Sequence, residues 1–231
     1  MNHLIRTALA LAIAALPFTA MAAAKGKTMQ EIIDASTAAD WRTPDPEDLL
    51  IMDIPGGRVV IELAPLFAPE HVANILTLAK QGYWNGLAII RSHDNFVVQW
   101  GDTADEAAKA KPIGIAKAKL PAEFSIEGLD KASFHAVPDP DGWSKTAGFV
   151  AGFPAATDGK QTWMAHCYGD VGAGRGIEAD SSIGTELYVV TGQSPRQLDR
   201  NITSVGRVLQ GMEYLSILPR GTGPLGFYEK P

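Results

Sequence analysis

Apolar and polar positions change their repeat several times along this chain, and each change marks an element. Leu49 to Ile54 is an apolar run, followed by the turn signal Pro55-Gly56-Gly57. Arg58 to Leu63 alternates, with Val59, Ile61 and Leu63 on one face and Arg58 and Glu62 on the other. Two such runs around a glycine turn predict a β-hairpin. From Glu70 to Gln81 the repeat changes to the i, i+3, i+4, i+7 spacing of an amphipathic helix, carried by Val72, Ile75, Leu76 and Ala79 and ended by Gly82. Strands are predicted over 87–90 and 95–100, where Phe96, Val98 and Trp100 alternate with Asn95, Val97 and Gln99. Further strands are predicted over 161–167, 187–191 and 204–209, and a short helix over 211–218, stopped by Pro219. The Gly-rich stretch 171–180 is expected to be a loop. Residues 103–160 read as a long excursion with a few short elements, such as 149–153.

The ends differ in character. An apolar run from Thr7 to Phe18, too short to span a bilayer, precedes Ala20-Met21-Ala22, the small-residue pattern of a cleavable secretory leader. Cleavage is expected after Ala22, with Ala24 as the alternative, and an Ala-x-Ala leader of this length suggests a bacterial periplasm. Thr28-Met29-Gln30-Glu31 is a capping box that predicts one short helix, and Thr43-Pro44-Asp45-Pro46 is a linker. The expected division is a leader over 1–22, a helical extension over 23–48, a domain over 49–220 and an extended tail over 221–231.

Composition narrows the function. Hydrophobic residues make up 46% of the 231 and charged ones 20%, enough for a packed core. The net charge of −6 with no basic cluster argues against a nucleic-acid or anionic-membrane partner. After the leader, no apolar run is long enough for a membrane helix. The single cysteine, Cys167, cannot form an internal disulfide and reads as a small buried hydrophobe. Ser92-His93-Asp94 is contiguous and cannot converge as a triad, the histidines lack metal-ligand spacing, and Gly172-x-Gly174-x-Gly176 is no dinucleotide fingerprint. No metal or cofactor is expected. Many short strands with two helices point to a closed β-structure capped by helices.

The stretch Arg91 to Asp102 carries the most chemistry. It sets a permanent cation, an aromatic ring and an amide close together on strand-forming sequence. A hairpin would fold Arg91 back beside Phe96 and Gln99, and an apolar slot flanked by a guanidinium and an amide suits a prolyl peptide bond.

The order of motifs resembles the cyclophilins. Gly57-Arg58-Val59-Val60-Ile61-Glu62-Leu63 is similar to that family's first hairpin, and Ala68-Pro69-Glu70-His71-Val72-Ala73-Asn74-Ile75-Leu76 to its first helix. Gly82-Tyr83-Trp84-Asn85-Gly86 resembles the turn that follows. Arg91…Phe96-Val97-Val98-Gln99-Trp100-Gly101-Asp102 resembles its signature. Gly184 to Gly192, Leu198-Asp199 and Val205 to Met212 are similar to its closing motifs. The resemblance covers about 49–220, with a poor fit over 103–160. It implies a mainly β fold, a closed antiparallel cyclophilin-like barrel capped by two helices, and peptidyl-prolyl cis-trans isomerase activity. The implied catalytic residues are Arg91, Phe96 and Gln99. Gly174, Arg175, Glu186, Tyr188 and Leu198 would bind substrate. The implied partners are proline-containing segments of unfolded or loosely folded exported proteins, met by a monomer. Ile90 stands where the family has His, Glu186 where it has Gln, and Ile202 where it has a pocket His. These departures motivate the alternative of a non-catalytic peptide-binding or chaperone module, in which Glu186 would pair with Arg91.

Overall fold

The computed structural model describes residues 26–102, 109–130, 133–193 and 195–231. The expected leader lies outside them. The chain divides into two compact units, with the boundary between Thr43 and Pro44. In the first, the capping box is built as expected: α1 (Met29–Asp34) opens with Thr28 N donating to Glu31 Oε2 at 2.6 Å and Glu31 N to Thr28 Oγ1 at 3.2 Å.

In the second unit, β1 (Leu49–Ile54) and β2 (Gly57–Leu63) form the expected hairpin, with Leu50 opposite Ile61 and Met52 opposite Val59. Val59, Ile61 and Leu63 point into the main core. Helix α2 (Pro69–Lys80) lays Val72, Ile75 and Leu78 against the interior. Ala68, its N-cap, has no side chain to cap with. The Glu123 carboxylate serves instead, accepting from Glu70 N at 3.0 Å and His71 N at 2.9 Å. Gly82 closes the helix at φ +68° in the left-handed region, with its N–H on the Ala79 carbonyl.

β3 (Ala88–Ser92) and β4 (Val97–Gly101) follow. The excursion then contributes β5 (Ile126–Glu127), β6 (Phe134–Ala136), β7 (Thr146–Val150), β8 (Phe153–Thr157) and β9 (Gln161–Met164). After it come β10 (Asp170–Ala173), β11 (Leu187–Val190), β12 (Thr203–Gln210) and α3 (Met212–Ser216). Among the described residues the strands form two antiparallel sheets, β1-β2-β12-β10-β11-β4-β3 and β5-β9-β8-β7-β6.

The expected closed barrel is therefore corrected to an open half-barrel. β1 and β3 are edges of the seven-stranded sheet, and a cavity of about 440 Å³ lined by Leu50, Ile54, Trp84, Ile89 and Trp100 lies between them. The excursion strands do not bridge the gap because they pair with one another. Their sheet has its own core of Phe67, Val150, Phe153 and Met164. The segment after α3, broken by Pro219 and Pro224, runs beside β3 through an isolated bridge and a few hydrogen bonds and does not become a further strand of the sheet.

Two local expectations are also corrected. Residues 149–153 are not an element: Ala151 (φ +49°) and Gly152 (φ +83°) form the two-residue turn between β7 and β8. The predicted loop at 171–180 begins as β10, an interior strand between β11 and β12. Its glycine is a packing requirement, since a Cβ on Gly172 would collide with the Tyr188 ring and hydroxyl.

Candidate active site

The site is built on the outer face of β3, β4, β11 and β10. Along β4 and β11, Val98, Trp100, Leu187 and Val189 point into the main core, while Val97, Tyr188 and Val190 form a second cluster on the opposite face. Gln99 lies opposite Tyr188 in register and shares that face.

Arg91 joins them through a β-bulge. Ile89 pairs with Trp100, but Arg91, not Ile90, pairs with Gln99. The unpaired extra residue, Ile90, is buried. In a regular register Ile90 would oppose Gln99 and Arg91 would oppose Val98, which places Arg91 on the core face, because side chains alternate along a strand.

The guanidinium is held at several points. Its Nε donates to the Leu225 carbonyl at 2.7 Å, one Nη to Gln99 Oε1 at 3.4 Å, and the other Nη to His93 Nδ1 at 3.1 Å. Its central carbon lies 5.2 Å from the Phe96 ring centroid and 5.1 Å from that of Phe227. Burial lowers its pKa from the ordinary arginine value, which leaves it charged at any physiological pH. Three of its five N–H donors are engaged in these bonds, so two remain for a ligand.

Phe96 is not in the strand, as the alternation suggested. It ends the turn that Asn95 makes at φ +49°, a conformation asparagine tolerates. Its half-buried ring packs with Leu198 and Ile202 against Tyr188 and Val97. This is an apolar wall beside a cation. His93 meets Phe96 edge-on, with ring centroids 5.3 Å apart.

Gln99 is oriented from both ends. Its Oε1 accepts from Arg91, and its Nε2 donates to Glu186 Oε2 at 2.7 Å. Glu186 thus pairs with Gln99, and the expectation that it would pair with Arg91 is corrected. Burial pushes its carboxyl above the usual carboxylate range, against the Gln99 hydrogen bond and with help from Asp102. A Cβ on Gly174 would stand 3.3 Å from Glu186 Cβ and 3.6 Å from Gln99 Nε2, so Gly174 borders this pair. Arg175 turns its guanidinium to the backbone of Asn201 at 2.9 Å and of Gly176 and Ile177, each at 2.8 Å. It holds the loop rather than reaching toward Arg91.

Tyr188 lies behind Phe96, Leu198 and Ile202 and is 5% exposed. Its hydroxyl donates to His166 Nε2 at 2.8 Å, and His166 Nδ1 donates to Asp199 Oδ1 at 3.1 Å. The order hydroxyl, imidazole, carboxylate is that of an activated nucleophile. Burial pushes the phenol well above its ordinary value and leaves no path to it, so the chain is structural. Burial likewise raises the Cys167 thiol.

All three residues expected to be catalytic converge. His93, Phe227, Leu225 and the buried His166–Asp199 pair were missed. In the sequence His93 stands only in an excluded triad and among histidines without metal-ligand spacing. The returning segment carries no motif; only the bridge between Arg91 and Phe227 reveals it.

An arginine, an aromatic ring and a glutamine on one face of a mainly β fold are what the motif resemblance implied, although the sheet that carries them is open rather than closed. Residues 49–224 match the model of the family described as cyclophilin type peptidyl-prolyl cis-trans isomerase/CLD. The chain belongs to this family. Its structure is similar to that of cyclophilin AquaCyp293 from Hirschia baltica, with a TM-score of 0.68 and 29% identity over 87% of this chain and 77% of that one. A probable peptidyl-prolyl cis-trans isomerase of Brucella suis is 39% identical over 90 residues, 36% of this chain and 46% of the relative. A putative one of Staphylococcus saprophyticus is 43% identical over 53 residues, 23% of this chain and 27% of the relative. The chain thus spans less than half the length of these curated relatives.

Proposed function

We propose that this protein accelerates cis-trans isomerisation of X–Pro peptide bonds. The observation that carries this reading is the bulge-directed Arg91 guanidinium, 5.2 Å from the Phe96 ring and bonded to Gln99. Twisting an amide meets a barrier of about 18–20 kcal/mol because resonance is lost. A catalyst must bind the twisted form better than either planar one. In that form the prolyl nitrogen regains a lone pair, and a free N–H of Arg91 donates to it. Phe96, Leu198 and Tyr188 hold the proline ring, and Gln99 fixes a substrate carbonyl. Gly174 leaves room for the residue before proline, and Arg175 holds the loop beside it. No bond is broken, so no nucleophile is required.

The substrates on this reading are proline-containing segments of unfolded or loosely folded proteins. The leader pattern supports clients exported with it. Terminal sequencing of the exported protein would then begin at residue 23 or 25, and a retained Met1 would overturn that placement. In a protease-coupled assay on an X–Pro peptide, Arg91→Ala is expected to lower kcat/KM at least about tenfold, and about a hundredfold if Arg91 contributes the roughly 2.7 kcal/mol of a donor aimed at developing charge. Its melting temperature should stay close to that of the parent. A non-catalytic peptide-binding module would instead bind the peptide without raising the rate, and unchanged turnover in Arg91→Ala would remove Arg91 from the mechanism.

A further inference from the structure

The segment after α3 returns across the outer edge of β3. Gly221 N donates to the Ser92 carbonyl and Tyr228 N to the Ile90 carbonyl, both at 2.9 Å, and between them Phe227 bridges Arg91. Side chains fasten this return. Arg220 Nε donates to Asp94 Oδ1 at 3.0 Å, and the Tyr228 hydroxyl donates to the Pro219 carbonyl.

The turn at its centre is strained for a purpose visible in the geometry. Leu225 sits in the left-handed region at φ +57° although its side chain is 67% exposed. Burial of that side chain therefore does not offset the strain. What Leu225 supplies is its carbonyl, aimed at Arg91 Nε at 2.7 Å. Gly226 follows at φ +80°, and a Cβ there would stand 2.7 Å from His93 Cα. Only glycine lets the turn press this closely on the strand that carries Arg91. Phe227 then places its ring 5.1 Å from the guanidinium carbon, about as close as Phe96 on the pocket side.

We infer that Phe227 and the Leu225 carbonyl are positioning elements of the isomerase site, which hold the Arg91 guanidinium so that its Nη groups face the pocket. The inference rests on the proposed role of Arg91. The bonds divide accordingly: Nε goes to the returning segment, while the Nη groups stay with Gln99 and His93. Donors fixed before the substrate arrives need no reorganisation as the amide twists. An arginine with only one aromatic neighbour and a free Nε would sample several rotamers and lose that advantage.

The test compares Phe227→Leu and Phe227→Tyr in the full chain, each also combined with Arg91→Ala, with kcat, KM and melting temperature measured for all. Leucine keeps apolar bulk without a π face. Phe227→Leu should lower kcat about fivefold, the worth of one cation–π contact, with KM nearly unchanged. Phe227→Tyr should retain the parent kcat. In the Arg91→Ala background Phe227→Leu should have no further effect. Parental kcat in Phe227→Leu, or an equal loss with and without Arg91, would overturn the inference. If Arg91→Ala alone leaves turnover unchanged, the proposed role of Arg91 fails instead. A measurement on the parent protein does not depend on variants folding: the Arg91 Nε–H proton, assigned by its loss in Arg91→Lys, should be protected from solvent exchange. Exchange as fast as in free arginine would also overturn the inference.

Discussion

At the scale of single residues, Gln99 shows how a side chain with two equivalent-looking ends acquires a direction. Arg91 can only donate, so the oxygen of the Gln99 amide faces it, and the nitrogen then finds the Glu186 carboxylate at 2.7 Å. Glu186 therefore acts through Gln99. This predicts a difference between two substitutions. Glu186→Gln keeps an acceptor for Gln99 Nε2 and should leave kcat/KM close to that of the parent. Glu186→Ala releases the amide and should lower kcat/KM about fivefold, the worth of roughly one hydrogen bond. Steady-state kinetics on an X–Pro peptide decides it. An equal loss in both variants would mean that the charge at 186 matters rather than the direction of Gln99. Much of this site was legible in the sequence, because one hairpin brings Arg91 to Gln99. The direction of Glu186 was not, since its partner lies 87 residues away and nothing local chooses between Gln99 and Arg91.

At the scale of elements, the sequence is read well where one face is dry and the other wet. β1, β2 and α2 carry such patterns, and their expected boundaries lie within a residue or two of the observed ones. β4 and β11, buried at every position, are also read as strands, and the reading fails at β10, where a loop signal sits inside a covered strand. β10 is Asp-Val-Gly-Ala, buried throughout, with a glycine that signals a loop in isolation. Its reason for being a strand is tertiary: β11 and β12 supply its hydrogen bonds, and the Tyr188 ring occupies the space a side chain at 172 would need. The bulge at Ile90 is equally silent. An apolar Ile89-Ile90 run fits a regular strand, yet the extra residue decides which face Arg91 takes. The barrel stays open for a related reason. Strand count says how many segments can pair, but pairing among β5 to β9 leaves β1 and β3 as edges.

At the scale of the whole domain, a buried polar network joins the two sheets behind the pocket. Asp141, in the excursion, takes a bidentate bond from Arg196 at 2.8 and 3.1 Å, and Arg196 Nε donates to Asp199 at 2.8 Å. Trp163 of β9 donates to Asp199 at 3.2 Å, and Asp199 accepts from His166, which accepts from Tyr188 behind the Phe96 ring. Burial pushes the Asp199 carboxyl up, but the His166 and Arg196 bonds outweigh it and hold the pKa below the usual range. His166 goes the other way: burial lowers its pKa below the ordinary 6.5, against the pull of Asp199. It is folded as the neutral ring. As pH falls below about 6.5, the unfolded chain takes up a proton at this residue while the folded one does not. The stability His166 contributes is thus complete above that pH and lost as pH falls toward the folded pKa. Burial also raises the pKa of Asp170 and Glu186, and these groups act in the opposite sense, gaining stability on acidification. The comparison with His166→Asn cancels Glu186, which both chains carry in the same surroundings, and placing Asp170→Asn in both backgrounds removes Asp170, whose Oδ2 lies 4.0 Å from His166 Nε2. Urea unfolding at pH 7, 6 and 5 should show the advantage of the parent over His166→Asn shrinking, by at most about 1.4 kcal/mol per pH unit. An advantage that stays constant or grows over that range would mean that His166 is charged in the fold, with Tyr188 no longer its donor.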